Sequence, residues 1–478
     1  MMIETLIAFA IIAGIIFVGF LAEFLFRRFM VPPPLILLAA GLALGPVMHI
    51  VDVSLMLSIE YIVAPLALVI LLLEGGLELN VYKIIHESGR GILLGGLGIG
   101  ISSIAVALLW AALGHDIITG LILGVILSGT ASEIVVPIAK GMHISDKAKQ
   151  TLTIESAMTD VVGAVLVLSL IEAVISGHAS VEGTTRNLVT AFSIGAVLGA
   201  IFGMAWLTFS NKLKQLHFYY MLTLALVLCV YIVTEFMGGS GAIAALMFGM
   251  MLGNAAEIGK MLKFKDITHE PKIVQFHEEI SFLVRTFVFV FLGMIITVTN
   301  LNVVLIGIGI TALLAATRFA ALKVAVMKSD LMEFEGQMRA LLPRGLATAI
   351  LAMYPATMLA DSVGKITPYS YWTLYNQFSV FPQIAFVVII TSIIFTAGGV
   401  RMAAKDVHVG GDEEGEEGKA AREEAEKARA RADKKIVQKI IGSKHKQAGH
   451  PEKKGEPHLD RHPHEAADAG SGHAETKN

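Results

Sequence analysis

Residues 151–168, TLTIESAMTDVVGAVLVL, put four oxygen-bearing side chains within two turns of a helix. Ser156 and Asp160 are four apart and share one face, with Glu155 and Thr159 on the adjacent stripe. The apolar run VVGAVLVLSLI follows Asp160, so this carboxylate does not belong to a loop. A carboxylate among apolar residues needs a counter-cation or a proton. Burial favours its neutral form, whereas hydroxyl donors, amide donors or an arginine favour its charged form. A group balanced between those influences can give up its proton to take a cation. Hard cations such as Na⁺ bind through oxygen ligands. Asp160, Ser156, the Thr130 hydroxyl and carbonyls freed in LSGTASEIVVPIAKG, residues 127–141, could supply such a cage.

Other charged residues fall within apolar runs and ask for partners. Glu74 lies in LLLEGGLELN beside Gly75 and Gly76, which permit close helix approach. Glu78, one turn on, reads as interfacial, and Glu235, before Gly238-Gly239-Ser240-Gly241, as structural. Glu133 stands between an ion-pathway residue and a structural partner. Glu278, Glu279 and Arg285 read as a satisfied interfacial cluster in preference to a funnel. Arg318 lies mid-run in TALLAATRFAALKV, where an unpaired guanidinium is untenable. Glu155 is its natural partner, because Asp160 must stay available for exchange; Arg344 is the competing cation.

The elements that must hold these groups are membrane helices. Of the 478 residues, 55% are hydrophobic and only 16% charged, and the mean hydropathy is +0.70. Thirty-one of the 77 charged residues sit in the last 77 positions. The remainder is a succession of apolar runs of about 18 to 25 residues, the length that crosses a ~30 Å hydrocarbon core. This composition excludes a soluble enzyme, a secreted disulfide scaffold (Cys229 is the single cysteine) and a nucleic-acid binder. Thirteen spans are expected, near 4–26, 31–49, 58–80, 91–114, 117–141, 148–176, 187–210, 218–236, 241–256, 273–298, 302–324, 338–359 and 381–402. The first run lacks a basic leader and a small-residue cleavage site, so it is expected to be retained as a span.

Loops taken alternately carry 16 basic residues on one side and two, Arg186 and Lys365, on the other. The positive-inside rule then places the N-terminus outside and the C-terminal tail in the cytoplasm. Thirteen spans divide as six, one and six, the arrangement of an inverted repeat, in which span 5 corresponds to span 12. Both carry breaker chemistry mid-run: Gly129, Thr130, Ser132 and Pro137 in one, Pro343, Arg344 and Gly345 in the other. Broken helices at matching positions point to a midplane ion site.

The segments VPPPLILLAAGLALGP, LLLEGGLEL, SGTASE, ESAMTDVVGAV, GGSGAIAALMFGMMLGN, FVFLGM and LLPRGLA occur in the order seen in the cation/proton antiporter superfamily. Over roughly residues 5–400 the chain resembles its sodium/proton exchanger branch. The resemblance implies an all-α polytopic fold of thirteen helices, two inverted six-helix bundles with interrupted, crossing helices 5 and 12, and a homodimer working by an elevator-like movement. It implies Asp160 as the exchanging carboxylate, with Ser156, Thr130 and Glu74 as ligand or near-ligand positions and Na⁺ held at Asp160, Ser156 and Thr130. The family's ion bridge falls on Glu155 and Arg318, and Arg344 matches the arginine of the second interrupted helix. Thr159 stands where asparagine is usual. Ala131 and Ser132 stand where many relatives continue from threonine with Asp-Pro, so one acid near the cage is missing. Cargo is then Na⁺ (or Li⁺) exchanged for H⁺, with K⁺/H⁺ exchange as the alternative and no cofactor required.

One exchangeable carboxylate holds one proton or one monovalent cation, so exchange is expected to be one for one and electroneutral. Losing the amide donor at Thr159 is expected to move the exchange profile to higher pH. A Thr159→Asn variant with an unmoved profile would reject that expectation.

Residues 1–403 thus form the expected antiporter domain and 404–478 a charged cytoplasmic tail, helical first and disordered beyond Gly442, with seven histidines. A gated channel would need a continuous polar pore stripe, which is missing, and a membrane sensor would find support only in the tail. The sequence shows no nucleotide-binding glycine loop, zinc-ligand spacing or nucleophile motif.

Overall fold

The computed structural model describes residues 2–29, 31–51, 53–79, 89–175, 181–213, 218–261, 271–296, 301–360 and 368–410. By internal contacts the chain divides into Met1–Val407 and His408–Asn478. The architecture below is that of the first unit, and the tail expected over 404–478 lies outside the described residues beyond 410.

All regular structure among the described residues is helical. The order is α1 (Met2–Phe29), α2 (Pro33–Leu42, continued by a π turn at Ala43–Val47), α3 (Val53–Glu78), α4 (Gly89–Ala112), α5 (Ile117–Ser128), α6 (Ser132–Gly141) and α7 (Asp146–Ile175). Then come α8 (Val181–Leu213), α9 (Tyr219–Phe236), α10 (Gly241–Gly253), the short α11 (Ala255–Met261), α12 (Pro271–Ile295) and α13 (Leu301–Val326). The chain continues through α14 (Glu335–Ala340), α15 (Leu346–Ala360), α16 (Pro368–Phe378) and α17 (Phe381–Gly410).

Helices occupy every range in which a span was expected. Among the described residues, nine are long and apolar enough to cross a membrane. Three shorter apolar helices, Pro33–Val47, Gly241–Gly253 and Leu346–Ala360, complete much of the remainder. In α12 the residues Gln275, His277, Glu278, Glu279 and Arg285 dilute the apolar run. The count of thirteen therefore rests on the sequence. The chain between spans 12 and 13 also holds a helix that the apolar runs do not announce. It is α16, PYSYWTLYNQF, too short and too polar to read as a span, with Trp372 and Tyr375 exposed.

Two features of this packing position the site. The first is close backbone contact where side chains are absent. A Cβ at Gly76 of α3 would strike the Leu246 carbonyl of α10, and one at Gly249 would strike the Leu73 carbonyl. Glycine there lets α3 and α10 touch along their backbones, the usual means of association where lipid supplies no hydrophobic drive.

The second is the pair of interrupted spans. Span 5 is broken at Gly129–Ala131, between α5 and α6, and span 12 at Leu341–Gly345, between α14 and α15. Pro137 lies inside α6 and not at the break. Gly129 and Ala131 are extended, with ψ of 145° and 108°, and the two unwound segments cross. The Ala131 N–H donates to the Pro343 carbonyl at 2.9 Å, and Thr348 Oγ1 donates to the Ile126 carbonyl at 3.3 Å. From the other side α17 secures the second break. Its Ser392 Oγ accepts from the Arg344 N–H at 3.0 Å, and Thr396 Oγ1 accepts from the Leu342 N–H at 3.4 Å. Non-helical backbone at membrane depth is tolerated only where protein satisfies it, as here.

Candidate functional site

Breaking two helices at one level exposes two amino ends and two carboxyl ends within a few ångströms, each with a partial charge. Charged side chains meet all four. The carbonyl of Gly129, at the carboxyl end of α5, accepts from Arg344 Nη1 at 2.7 Å. The Met338 carbonyl, at the end of α14, accepts from Arg318 Nη2 at 3.4 Å. The first N–H of α6, Ser132, points to Asp160 Oδ2 at 3.5 Å. The first N–H of α15, Leu346, donates to Glu133 Oε1 at 2.8 Å. Cations meet carboxyl ends and carboxylates meet amino ends, the favourable sense in both cases.

Glu155 and Arg318 form a two-point pair, Nη1 to Oε1 at 2.9 Å and Nη2 to Oε2 at 3.1 Å. Their exposures are 2% and 7%, so the pair is sealed from water. Such fork-to-fork geometry is the strong form of ion pairing. Thr130 Oγ1 adds a third donor to Glu155 Oε1 at 3.0 Å. The Thr130 N–H donates to Thr159 Oγ1 at 3.3 Å, and that hydroxyl donates to the Ser156 carbonyl at 3.0 Å. Thr159 therefore pins the unwound segment to α7.

Asp160 is half-buried and has a different environment. Ser132 Oγ donates to its Oδ2 at 3.0 Å, and among the described residues it forms no ion pair. Several residues expected in a cage around it are directed elsewhere. The Ser156 hydroxyl is buried and bonds back to the Thr153 carbonyl at 3.2 Å. Thr130 serves Glu155, and the Gly129 carbonyl serves Arg344. Glu74 lies 3.8 Å from Arg285 of α12 and not among the contacts of Asp160. Ala131 contributes its backbone to the crossing. Ser132, by contrast, which the sequence marks only as part of the break in span 5, is in direct contact with Asp160.

A cavity of about 530 Å³ reaches this point. Glu23, Glu74, Glu78, Glu133 and Asp160 line it together with one cation, Arg285. Clefts lined by one sign of charge concentrate counter-ions. A second cavity, of about 450 Å³, lies farther along the same helices. Leu168 and Glu172 of α7 and Tyr354 and Thr357 of α15 line it, whereas Thr153, Ala157, Asp160 and Val161 of α7 line the first.

Sequence reasoning overlooked Ser392 and Thr396, which hold the second break, and left Glu133 undecided. Hydroxyls four apart in the middle of a long apolar helix carry no distinguishing signal. Glu133 had one: an acid three residues after Thr130, in the same broken span.

This arrangement of broken, crossing helices around a carboxylate defines a secondary-transport fold. Residues 10–404 match the family described as sodium/hydrogen exchanger, transmembrane, and the chain belongs to that family. It is accordingly an integral, multi-pass membrane protein. The sodium proton antiporter MjNhaP1 of Methanocaldococcus jannaschii, at pH 8, has a similar structure. The TM-score is 0.70 at 20% identity, covering 84% of this chain and 99% of that one. The chain is also 25% identical over 359 residues to the K(+)/H(+) antiporter NhaP of Alkalimonas amylolytica, covering 73% of this chain and 58% of that one. It is 28% identical over 303 residues to the Na(+)/H(+) antiporter ApNhaP of Aphanothece halophytica, covering 61% of this chain and 54% of that one. The match thus spans little more than half the length of either relative.

Proposed function

We propose that the protein exchanges a monovalent cation for H⁺ across the membrane, one for one, through Asp160. The observation that carries this reading is the charge balance at the crossing. Glu155, Asp160 and Glu133 supply three negative charges, and Arg318 and Arg344 supply two positive ones, all within the contacts described above. One positive charge is wanting, and one proton or one alkali cation on Asp160 provides it. Glu155 is unsuited to that part because Arg318 already neutralises it.

In this reading the carboxylate-lined cavity draws cations toward Asp160. Ser132 Oγ and the Asp160 oxygens are the ligands at hand, and arrival of the cation displaces the proton. The lining residues of that cavity sit toward the ends of helices that the distribution of basic loop residues assigns to the cytoplasm. The conformation is therefore read as inward-facing. The stretch of α7 between Val161 and Leu168 closes the route to the second cavity, which becomes the outward vestibule after the core shifts. Two states alternately exposing one site perform exchange when only the loaded forms convert. A cell-membrane location with external N-terminus, and the homodimer, belong to the same proposal.

Na⁺ and K⁺ remain alternative cargoes: the two relatives above carry one name of each kind. The test is purified protein in vesicles with an internal pH dye. Adding Na⁺, K⁺ or Li⁺ to one side should drive proton movement with at least one of them, and the order of apparent affinities names the cargo. Vesicles with no cation-driven proton movement for all three would end this reading.

A further inference from the structure

The geometry points to Glu133 as the second carboxylate of the cation site, joining that site to α15 through its hydrogen bond to Leu346. This inference rests on the antiport reading and assigns a residue to it. Glu133 follows Ser132 in the first turn of α6, and both line the cavity that contains Asp160. The residue before it, Ser132, donates from Oγ to Asp160 Oδ2 at 3.0 Å, so the first turn of α6 lies against that carboxylate. Glu133 Oε1 accepts the Leu346 N–H at 2.8 Å, which leaves the second carboxylate oxygen to be shared with a cation.

The neighbourhood is shaped for this carboxylate. A Cβ at Gly345 would overlap Glu133 Oε1 and lie 2.6 Å from the Ala131 Cβ. Glycine at 345 is what allows the Glu133 carboxylate to reach the amino end of α15, where negative charge is favoured. Glu133 thereby touches both interrupted spans, and Asp160 touches one. A cation bound between Asp160 and Glu133 would feel whether α6 and α15 keep their relative positions, and an empty site would leave two neighbouring carboxylates to repel each other. Asp160 takes the proton in exchange, and Glu133 keeps its fixed donor throughout.

The alternative role is a helix pin and nothing more. Glu133→Gln separates the two, because its carbonyl oxygen still accepts the Leu346 N–H while the charge is lost. As a cation ligand, Glu133→Gln should raise the KM for the transported cation about tenfold or more, since one close charge of an attractive pair is removed. The Tm without cation should change little, because the Leu346 N–H keeps its acceptor, whereas cation-driven proton flux should fall with the lost charge. Ala131→Asp in the Glu133→Gln background, which places a carboxylate in the adjoining segment, should recover part of the affinity. Binding is read independently of transport by the rise in Tm that the cation causes in detergent. That rise should shrink in Glu133→Gln at every Na⁺ or K⁺ concentration. A Glu133→Gln protein with wild-type KM and a wild-type cation-induced rise in Tm would overturn the inference. A lowered Tm with unchanged KM would also overturn it, making Glu133 a pin alone. Wild-type protein showing a cation-induced rise in Tm but no proton flux would fail the antiport reading and leave this test standing.

Discussion

Vesicles carrying Asp160→Asn are expected to show no cation-driven proton movement above protein-free background, a loss of roughly a hundredfold or more. Asparagine occupies the same volume and still accepts the Ser132 hydroxyl, which reaches Asp160 Oδ2 at 3.0 Å. Architecture is therefore preserved, and the Tm should stay near the wild-type value. What disappears is the capacity to hold a proton and to neutralise a cation. Asp160→Glu keeps both capacities with one more methylene and should retain partial exchange with altered cation affinity. The pair of variants separates chemistry from packing: loss in the first and partial retention in the second is the pattern of a carrier group. Equal activity in Asp160→Asn and wild type would move the exchanging group elsewhere.

The second large effect concerns stability. Removing one partner of a buried ion pair leaves an uncompensated charge in low dielectric and costs about 3–5 kcal/mol. Arg318→Met should therefore lower the Tm substantially and reduce yield, because it strands Glu155 at 2% exposure with Thr130 Oγ1 as its remaining donor. It also removes the donor to the Met338 carbonyl, at the end of α14. Glu155→Leu with Arg318→Met, which replaces both ions by apolar groups, should regain much of that stability, as such replacements often do. The double variant should still be impaired in transport, because the Thr130 hydroxyl loses its acceptor and the segment beside Asp160 loosens. Thermal unfolding in detergent reads the first effect and proton flux the second. An Arg318→Met protein as stable as wild type would show that the pair contributes nothing to the fold.

Much of this architecture was legible in the chain because a bilayer imposes length and polarity so strictly. Apolar runs gave the helices, and mid-run Gly, Pro and hydroxyl residues gave both interruptions. The location of the first break was less accessible. Pro137 invites a break at its own level, yet the helix opens at Gly129–Ala131, where Thr159, Pro343 and Arg344 from other elements satisfy the backbone. Those partners are remote in sequence, and no local pattern announces them. For the same reason the direct neighbour of Asp160 is Ser132, and Thr130 and Ser156 are engaged elsewhere. Helix periodicity places Ser156 and Asp160 on one face but cannot show that a serine hydroxyl prefers its own helix carbonyl. The α16 helix was hidden because its aromatic and polar residues suit an interface and not a span.

The central claim is that proton and cation compete for one carboxylate. The measurement that tests it most directly is the apparent KM for the transported cation as a function of pH in vesicles. Competition predicts that KM rises by about tenfold per pH unit on the acid side of the proton affinity of the site, while the maximal rate at saturating cation stays constant. A KM that does not move with pH, with the rate alone falling as protons are added, would contradict it.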